Sequence, residues 1–298
     1  MRHERHHRTR RTAVIEEFTQ EQLDQFESDG FLIIEEGFID DEAVETLRER
    51  FDLLFDGKYQ TGIKPDEVNW VAGRDPENVT RQICNGWKGD DVIAAQVLGE
   101  RLGRLGATLM GWPGSRMLQD NCIWKPPGAG TLGMHQDASY ADYFDPSEMI
   151  TVWVALDETQ AGSGTIEYVG GSHKWPRVPP DRDSFHDPED WLAPVRAAAP
   201  EGASTERTPV VVKPGGVAFH HGLCFHGSGR NEATVERRAV ISHLMPASAR
   251  FDPDHVDLIY SRYRRRDDMA MDESFFPVLW SEDGGRSPWL AALDGVFA

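Results

Sequence analysis

The stretch MITVWVAL, residues 149–156, is a nearly continuous apolar run of strand length, and the segments around it decide the fold. Upstream, Met117, Gln119, Asn121 and Ile123 alternate and are assigned to one face of a strand that begins near Ser115. Downstream, residues 165–169, 210–212, 217–219 and 239–244 read as further short strands separated by glycine and proline. Strands at this density indicate a sandwich or jelly roll. The expected class is α+β, mainly β.

Toward the N-terminus the pattern changes to helices. Thr19-x-x-Gln22 is a capping box, with Leu23 and Phe26 on one face of a short helix that Gly30 ends. Residues 31–34 read as a buried strand. A second helix follows Asp40, with Val44, Leu47, Phe51 and Leu54 as its apolar stripe. A third is expected from about Asp90, striped by Leu98, Leu102, Leu105 and Leu109. Residues 57–89 form a long polar, glycine-rich loop carrying Trp70 and Trp87. Helices first and strands afterwards argue against an alternating parallel sheet. The expected organisation is a disordered basic tail over residues 1–15 and one catalytic domain over 16–298, with its β core at about 115–246.

The 298 residues are 39% hydrophobic and 27% charged, the balance of a globular protein with a substantial core. No apolar stretch approaches the roughly 20 residues that span a bilayer. The basic start, MRHERHHRTRRT, has no apolar segment after it and is not a secretory signal. Three cysteines without a CxxC pair suit a reducing, cytoplasmic setting. The net charge of −19 disfavours nucleic acids and anionic membranes as partners, and no oligomeric state follows from it.

Chemistry concentrates in His135-Gln136-Asp137, a lone His226 and Arg237. An HxD tripeptide is weak evidence alone. On an extended segment, however, residues i and i+2 point the same way and could share one ion. A third ligand must then come from a distant strand, and His226 lies 91 residues downstream of His135. Two imidazoles and one carboxylate form the facial triad that leaves half of an octahedral iron(II) open. Arg237 offers a planar fork for a co-substrate carboxylate. Its neighbour Arg238 falls on the opposite face and reads as a surface charge.

The segments GMHQDASY, GSGTIEYVGGSHKW and FHHGLCFHGSGRNEATVERRA, in that order, resemble the phytanoyl-CoA dioxygenase family of iron(II)/2-oxoglutarate oxygenases, best over about residues 115–245. The resemblance implies a double-stranded β-helix (cupin-like) core buttressed by the N-terminal helices. It implies Fe(II), with 2-oxoglutarate and O2 as co-substrates, and His135, Asp137 and His226 as metal ligands. Arg237, eleven residues past His226, would pair with the distal carboxylate of 2-oxoglutarate, joined by Ser228. Trp153 would line the co-substrate pocket, with a core role as its alternative. Gln119 and Asn121 could meet the keto acid and Met117 could pack against it, although all three also suit ordinary strand positions. His220 and His221 are expected in packing or supporting roles, His173 in a structural turn beside the site. His186, His243 and His255 show no partner.

The implied reaction is oxidation of an unactivated C–H bond of a small molecule, with release of succinate and CO2. Asp137 keeps the carboxylate that related halogenases replace. Hydroxylation is the default outcome; cyclisation, epimerisation and desaturation are open. No separate protein acid or base is assigned. Tyr140, Tyr143 and Phe144, directly after the metal motif, could wall the substrate pocket, and Trp70 and Trp87 could form a lid, with ordinary core or exposed positions as the alternative for all five. Aromatic walls suit a partly apolar secondary metabolite. Two other readings stand beside this one: a catalytically silent jelly-roll binding protein, and a zinc hydrolase using the same ligands.

Overall fold

The protein is described here from a computed structural model that covers residues 14–180 and 185–297; most of the expected basic tail lies outside the described residues. The tail's last expected residue is already tied down, since Arg101 donates to the Ile15 carbonyl at 3.0 Å.

Two antiparallel sheets carry the architecture. The larger runs, in spatial order, Phe31–Ile34, Val217–His221, Ile150–Ala155, Arg237–Pro246, Gly114–Lys125, Arg81–Cys84 and Glu67–Val68, with Val278–Ser281 also on Gly114–Lys125. The smaller runs Leu132–His135, His226–Ser228, Ile166–Val169 and Arg207–Pro209. Alternation along the central strands sends one set of side chains to the helices and the other toward the second sheet. Ile150, Val152 and Val154 join the helical residues Leu47, Phe51, Leu54 and Leu105 in the main core. Trp153 and Ala155 pack instead with Ile166 and Tyr168 of the smaller sheet. The apolar run 149–156 is continuous because both faces of that strand are buried.

The N-terminal expectations hold in detail. Thr19 and Gln22 form the reciprocal capping box of helix Gln20–Asp29, and Gly30 ends it at φ 77°. A side chain at Gly30 would also meet the His173 ring at 2.2 Å, so this landmark turn and the helix end require a glycine together. Helix Asp41–Phe55 buries Val44, Leu47, Phe51 and Leu54 as expected.

Three expectations are corrected. The third helix is two, Asp91–Val97 and Glu100–Met110, because Gly99 takes an extended conformation and caps the second. Residues 210–212 are not a strand: Thr159 Oγ1 accepts from Val212 N at 3.0 Å and donates to Val210 O at 2.8 Å, replacing a ladder. The segment 57–89 is no simple loop, since Glu67–Val68 and Arg81–Cys84 extend the large sheet. Trp70 and Trp87 are therefore core residues, 4% and 8% exposed, and neither lines the cavity between the sheets. Trp70 lies under the Arg81 guanidinium, and Trp87 stacks on Trp289 at 5.7 Å. Among the described residues no helix is long and apolar enough to cross a membrane, and the three cysteines are free and buried.

Candidate active site

Between the sheets lies a cavity of about 430 Å³ that His135, Asp137 and His226 line together with Trp153, Ser228 and Arg237. His135 ends one strand and His226 begins its neighbour, and the two are direct cross-strand partners. Gln136 is extended, so Asp137 returns to the same side although it already opens a 3-10 turn rather than continuing the strand. Gln136 itself is fully buried; it donates to Leu223 O at 3.0 Å and accepts from Val178 N at 2.9 Å. The middle residue of the motif thus clamps two loops beside the site.

Asp137 Oδ1 lies 3.3 Å from His135 Nε2 and 3.4 Å from His226 Nε2. Three atoms each about 2.1 Å from one ion, at right angles, are separated by about 3 Å, so the donor set fits a first-row metal. The tautomers fit too. His135 Nδ1 is 2.8 Å from Gly133 O and His226 Nδ1 is 2.9 Å from Cys224 O, which places the ring proton there and leaves each Nε2 lone pair facing the cavity.

Around Asp137 the hydrogen bonds have one consistent direction. Its Oδ2 accepts from Thr151 Oγ1 at 2.6 Å and from His220 Nε2 at 3.1 Å. The Tyr168 hydroxyl then donates to His220 Nδ1 at 2.9 Å. Thr151, its proton spent on Asp137, accepts from His243 Nδ1 at 2.8 Å, and His243 Nε2 accepts from Asn121 at 3.0 Å. Burial, then the charge of His226, pushes His220 down to about 3; burial likewise lowers His135 and His243. Burial alone would raise the Asp137 carboxyl, but His226 and the hydrogen bonds from its neighbours hold it well below the usual carboxylate range. For His226 burial lowers the pKa, but the Asp137 charge and hydrogen bond outweigh it and the net shift is upward.

Arg237 and Arg238 alternate as the strand requires and meet opposite fates. Arg238 is bound to Asp157 through Nε at 3.0 Å and Nη2 at 2.9 Å, a partly buried ion pair rather than a free surface charge. Arg237 is 2% exposed and donates twice to one carbonyl, Gly164 O, at 2.9 and 2.8 Å. No carboxylate among the described residues lies within ion-pairing distance of it, and burial lowers its pKa to about 10 despite the attraction of Asp157. A buried guanidinium with an open face on a cavity is a binding group for a carboxylate.

The structure sorts the remaining expected residues. Ser228, Trp153, Gln119 and Asn121 line the cavity, Gln119 accepting from the Tyr260 hydroxyl. Met117 does not: pairing slips between His243 and Leu244, so Leu118 bulges into the cavity and Met117 turns into the main core at 0% exposure. Tyr140 and Tyr143 wall the cavity, whereas Phe144 stands behind Tyr143 in edge-to-face contact and lines nothing. Tyr260 stacks on Tyr143 at 5.6 Å. His243 and His186, which showed no partner in the sequence, do have places, in the Asp137 network and in the cavity wall. Thr151, Tyr168, Phe185 and Tyr260 are not among the sequence candidates; Thr151 and Tyr168 sit in segments quoted above, but only folding brings these side chains to the metal motif.

An antiparallel two-sheet core with a His/Asp/His cluster between the sheets and a buried, unpaired arginine beyond it has the features of the non-haem iron, 2-oxoglutarate-dependent dioxygenases. The phytanoyl-CoA dioxygenase (PhyH) family model matches residues 26–239, and the chain belongs to that family. Peroxisomal phytanoyl-CoA dioxygenase of Bos taurus is 25% identical over 164 residues, covering 49% of this chain and 47% of that protein. The matched stretch spans about half the length of the first curated relatives. In fold, the chain is similar to the epimerase SnoN in complex with Fe3+, alpha ketoglutarate and nogalamycin RO, with a TM-score of 0.69 and 22% identity over 88% of this chain and 98% of that one. The carbocyclase SnoK from nogalamycin biosynthesis gives 0.65 and 22%, over 88% and 97%.

Proposed function

We propose that this chain is an iron(II)- and 2-oxoglutarate-dependent oxygenase acting on an unactivated C–H bond of a small, partly apolar molecule, with residues 16–298 working as one catalytic domain. The facing sheets support a double-stranded β-helix for its core. One observation carries the reading: Arg237, buried and without a carboxylate partner among the described residues, lines the same cavity as the three-ligand cluster. A zinc hydrolase gives that arginine no task, and a silent binding protein gives none to the intact ligand set beside it.

His135, Asp137 and His226 would hold the iron. When bound with 2-oxoglutarate and O2, it supplies the oxidant for C–H cleavage, with succinate and CO2 as by-products. The chain's own part is binding, orientation and exclusion of water. Arg237 and Ser228 receive the distal carboxylate, and Trp153, its ring centroid 5.7 Å from the guanidinium, walls that end. Thr151 and His220 hold Asp137 Oδ2, which leaves Oδ1 for the metal. Tyr140, Tyr143 and Tyr260 shape the substrate side. Arg237 is the only lysine or arginine among the described lining residues, while Glu67 and Asp257 also stand there. A polyanionic thioester is therefore a poor fit, and a neutral or basic metabolite with an apolar body a better one. Retention of Asp137 favours oxygenation over halogenation, with hydroxylation as the default and cyclisation, epimerisation or desaturation as variants.

The test is succinate formation from 2-oxoglutarate with Fe(II) under air, together with equilibrium binding of 2-oxoglutarate to the Mn(II)-loaded protein. Binding and substrate-stimulated succinate are expected. No binding and no succinate across a neutral and basic metabolite panel refute the reading, and turnover with Zn(II) without O2 would support the hydrolase instead.

A further inference from the structure

We infer that Lys125 is a positioning residue of the co-substrate site, a second buried cation that acts on the distal carboxylate through Ser228 and through its own charge. The inference rests on the function proposed above.

Lys125 is 0% exposed and is the direct cross-strand partner of Arg237. Its Nζ donates to Ser228 Oγ at 2.7 Å, to Gly229 O at 2.6 Å and to Ser228 O at 3.5 Å, all neutral acceptors. No carboxylate among the described residues reaches it within ion-pairing distance. Two buried cations therefore lie side by side without an acidic partner among the described residues, in a chain with 50 acidic residues against 31 basic ones. Scarcity of acids is not the reason. Burying charges in this way is costly unless an anion completes the site, and a dicarboxylate co-substrate does so. Burial, then repulsion from Arg237, lowers the lysine pKa well below its ordinary value, as expected for a site awaiting its counter-ion.

The contact with Ser228 also sets a direction. Ser228 Oγ accepts from Lys125, so its single proton is left to donate, and Ser228 lines the cavity while Lys125 does not. Gly164 serves both cations. Its carbonyl takes two bonds from Arg237, and a Cβ there would stand 2.9 Å from Lys125 Cδ.

The test compares 2-oxoglutarate with 2-oxopentanoate, which keeps the keto acid and chain length but lacks the distal carboxylate. Calorimetry on the Mn(II)-loaded protein needs no turnover. Lys125→Met is expected to weaken 2-oxoglutarate roughly 10- to 100-fold, the scale of one charge-assisted hydrogen bond, and to leave 2-oxopentanoate unchanged. The metal-free variant should melt no lower than wild type, because an unpaired buried charge has been removed. Equal weakening of both acids, or unchanged 2-oxoglutarate affinity, overturns the inference. Should the methionine variant not fold, Lys125→Gln, which keeps a donor and loses the charge, carries the same comparison. Wild-type protein that fails to bind 2-oxoglutarate would count against the proposed function itself, a result distinct from a wild type that binds and a variant that binds equally well.

Discussion

Thr151→Val keeps the shape of the side chain and removes one hydroxyl, and that hydroxyl joins two halves of the site. It donates to Asp137 Oδ2 at 2.6 Å and accepts from His243 Nδ1 at 2.8 Å. Thr151 is 1% exposed, and valine offers neither a donor nor an acceptor in its place. Losing a hydrogen bond to a charged group costs about 1.5–3 kcal/mol, and the orphaned His243 N–H adds roughly 1–3 kcal/mol. The metal-free protein should therefore lose about 2.5–6 kcal/mol of stability in a denaturant titration. Asp137 Oδ2 then keeps His220, with His243 Nδ1 3.5 Å away, and is held less firmly, so metal affinity should fall by roughly 10- to 100-fold, the usual effect of losing a partner of a metal ligand. Competition with a chelating dye on Mn(II) or Fe(II) measures it. Wild-type metal affinity together with wild-type stability would refute the Asp137–Thr151–His243 relay.

Other predictions concern the rest of the site. Arg237→Gln should weaken 2-oxoglutarate binding by roughly 100-fold or more while leaving the metal-free protein about as stable as wild type, because the lost charge has no acidic partner among the described residues; calorimetry and thermal melts check both. His221 is pushed down to about 4 by burial and then by His173, and its Nδ1 accepts from Leu223 N at 3.0 Å. A depressed imidazole favours the folded state above its unfolded value near 6.5, and that stability is lost as pH falls through 4. This group alone should cost the metal-free protein roughly 3 kcal/mol between about pH 6.5 and pH 4, on top of the loss from the other depressed histidines, and His221→Gln should make that acid limb shallower. Gly164→Ala, at φ +67° and against both Lys125 and Asn231, should destabilise by about 1–3 kcal/mol and weaken 2-oxoglutarate as well; an unchanged melt would contradict the packing there.

Much of this was legible in the chain. Local signals carried the capping box at Thr19, the stripe of helix Asp41–Phe55 and the strands around residues 149–156, because each depends on side chains a few positions apart. His135, Asp137, His226 and Arg237 were legible through their spacing, and the structure brings them to one cavity. Met117 was misread because a single extra residue, Leu118, reverses a strand's alternation, and no local pattern announces a bulge. For Trp70 and Trp87 the sequence leaves a lid and a core position both open, because the strands around them are too short to show a period.

By itself, then, the sequence determined which residues can ligate a metal, which arginine can face a carboxylate, and that strands would dominate beyond residue 115. Those properties belong to side-chain chemistry and to short-range periodicity. Only the tertiary structure decided that Arg238 is neutralised by Asp157 while Arg237 is left unpaired, and that Lys125 is buried beside it. It also decided that Thr151, His220 and His243 converge on one carboxylate from three strands. The physical reason is that burial and pairing are properties of neighbours in space. Those neighbours, here 83 and 92 positions apart for the bonds from His220 to Asp137 and from His243 to Thr151, are set by sheet register rather than by anything local in the chain.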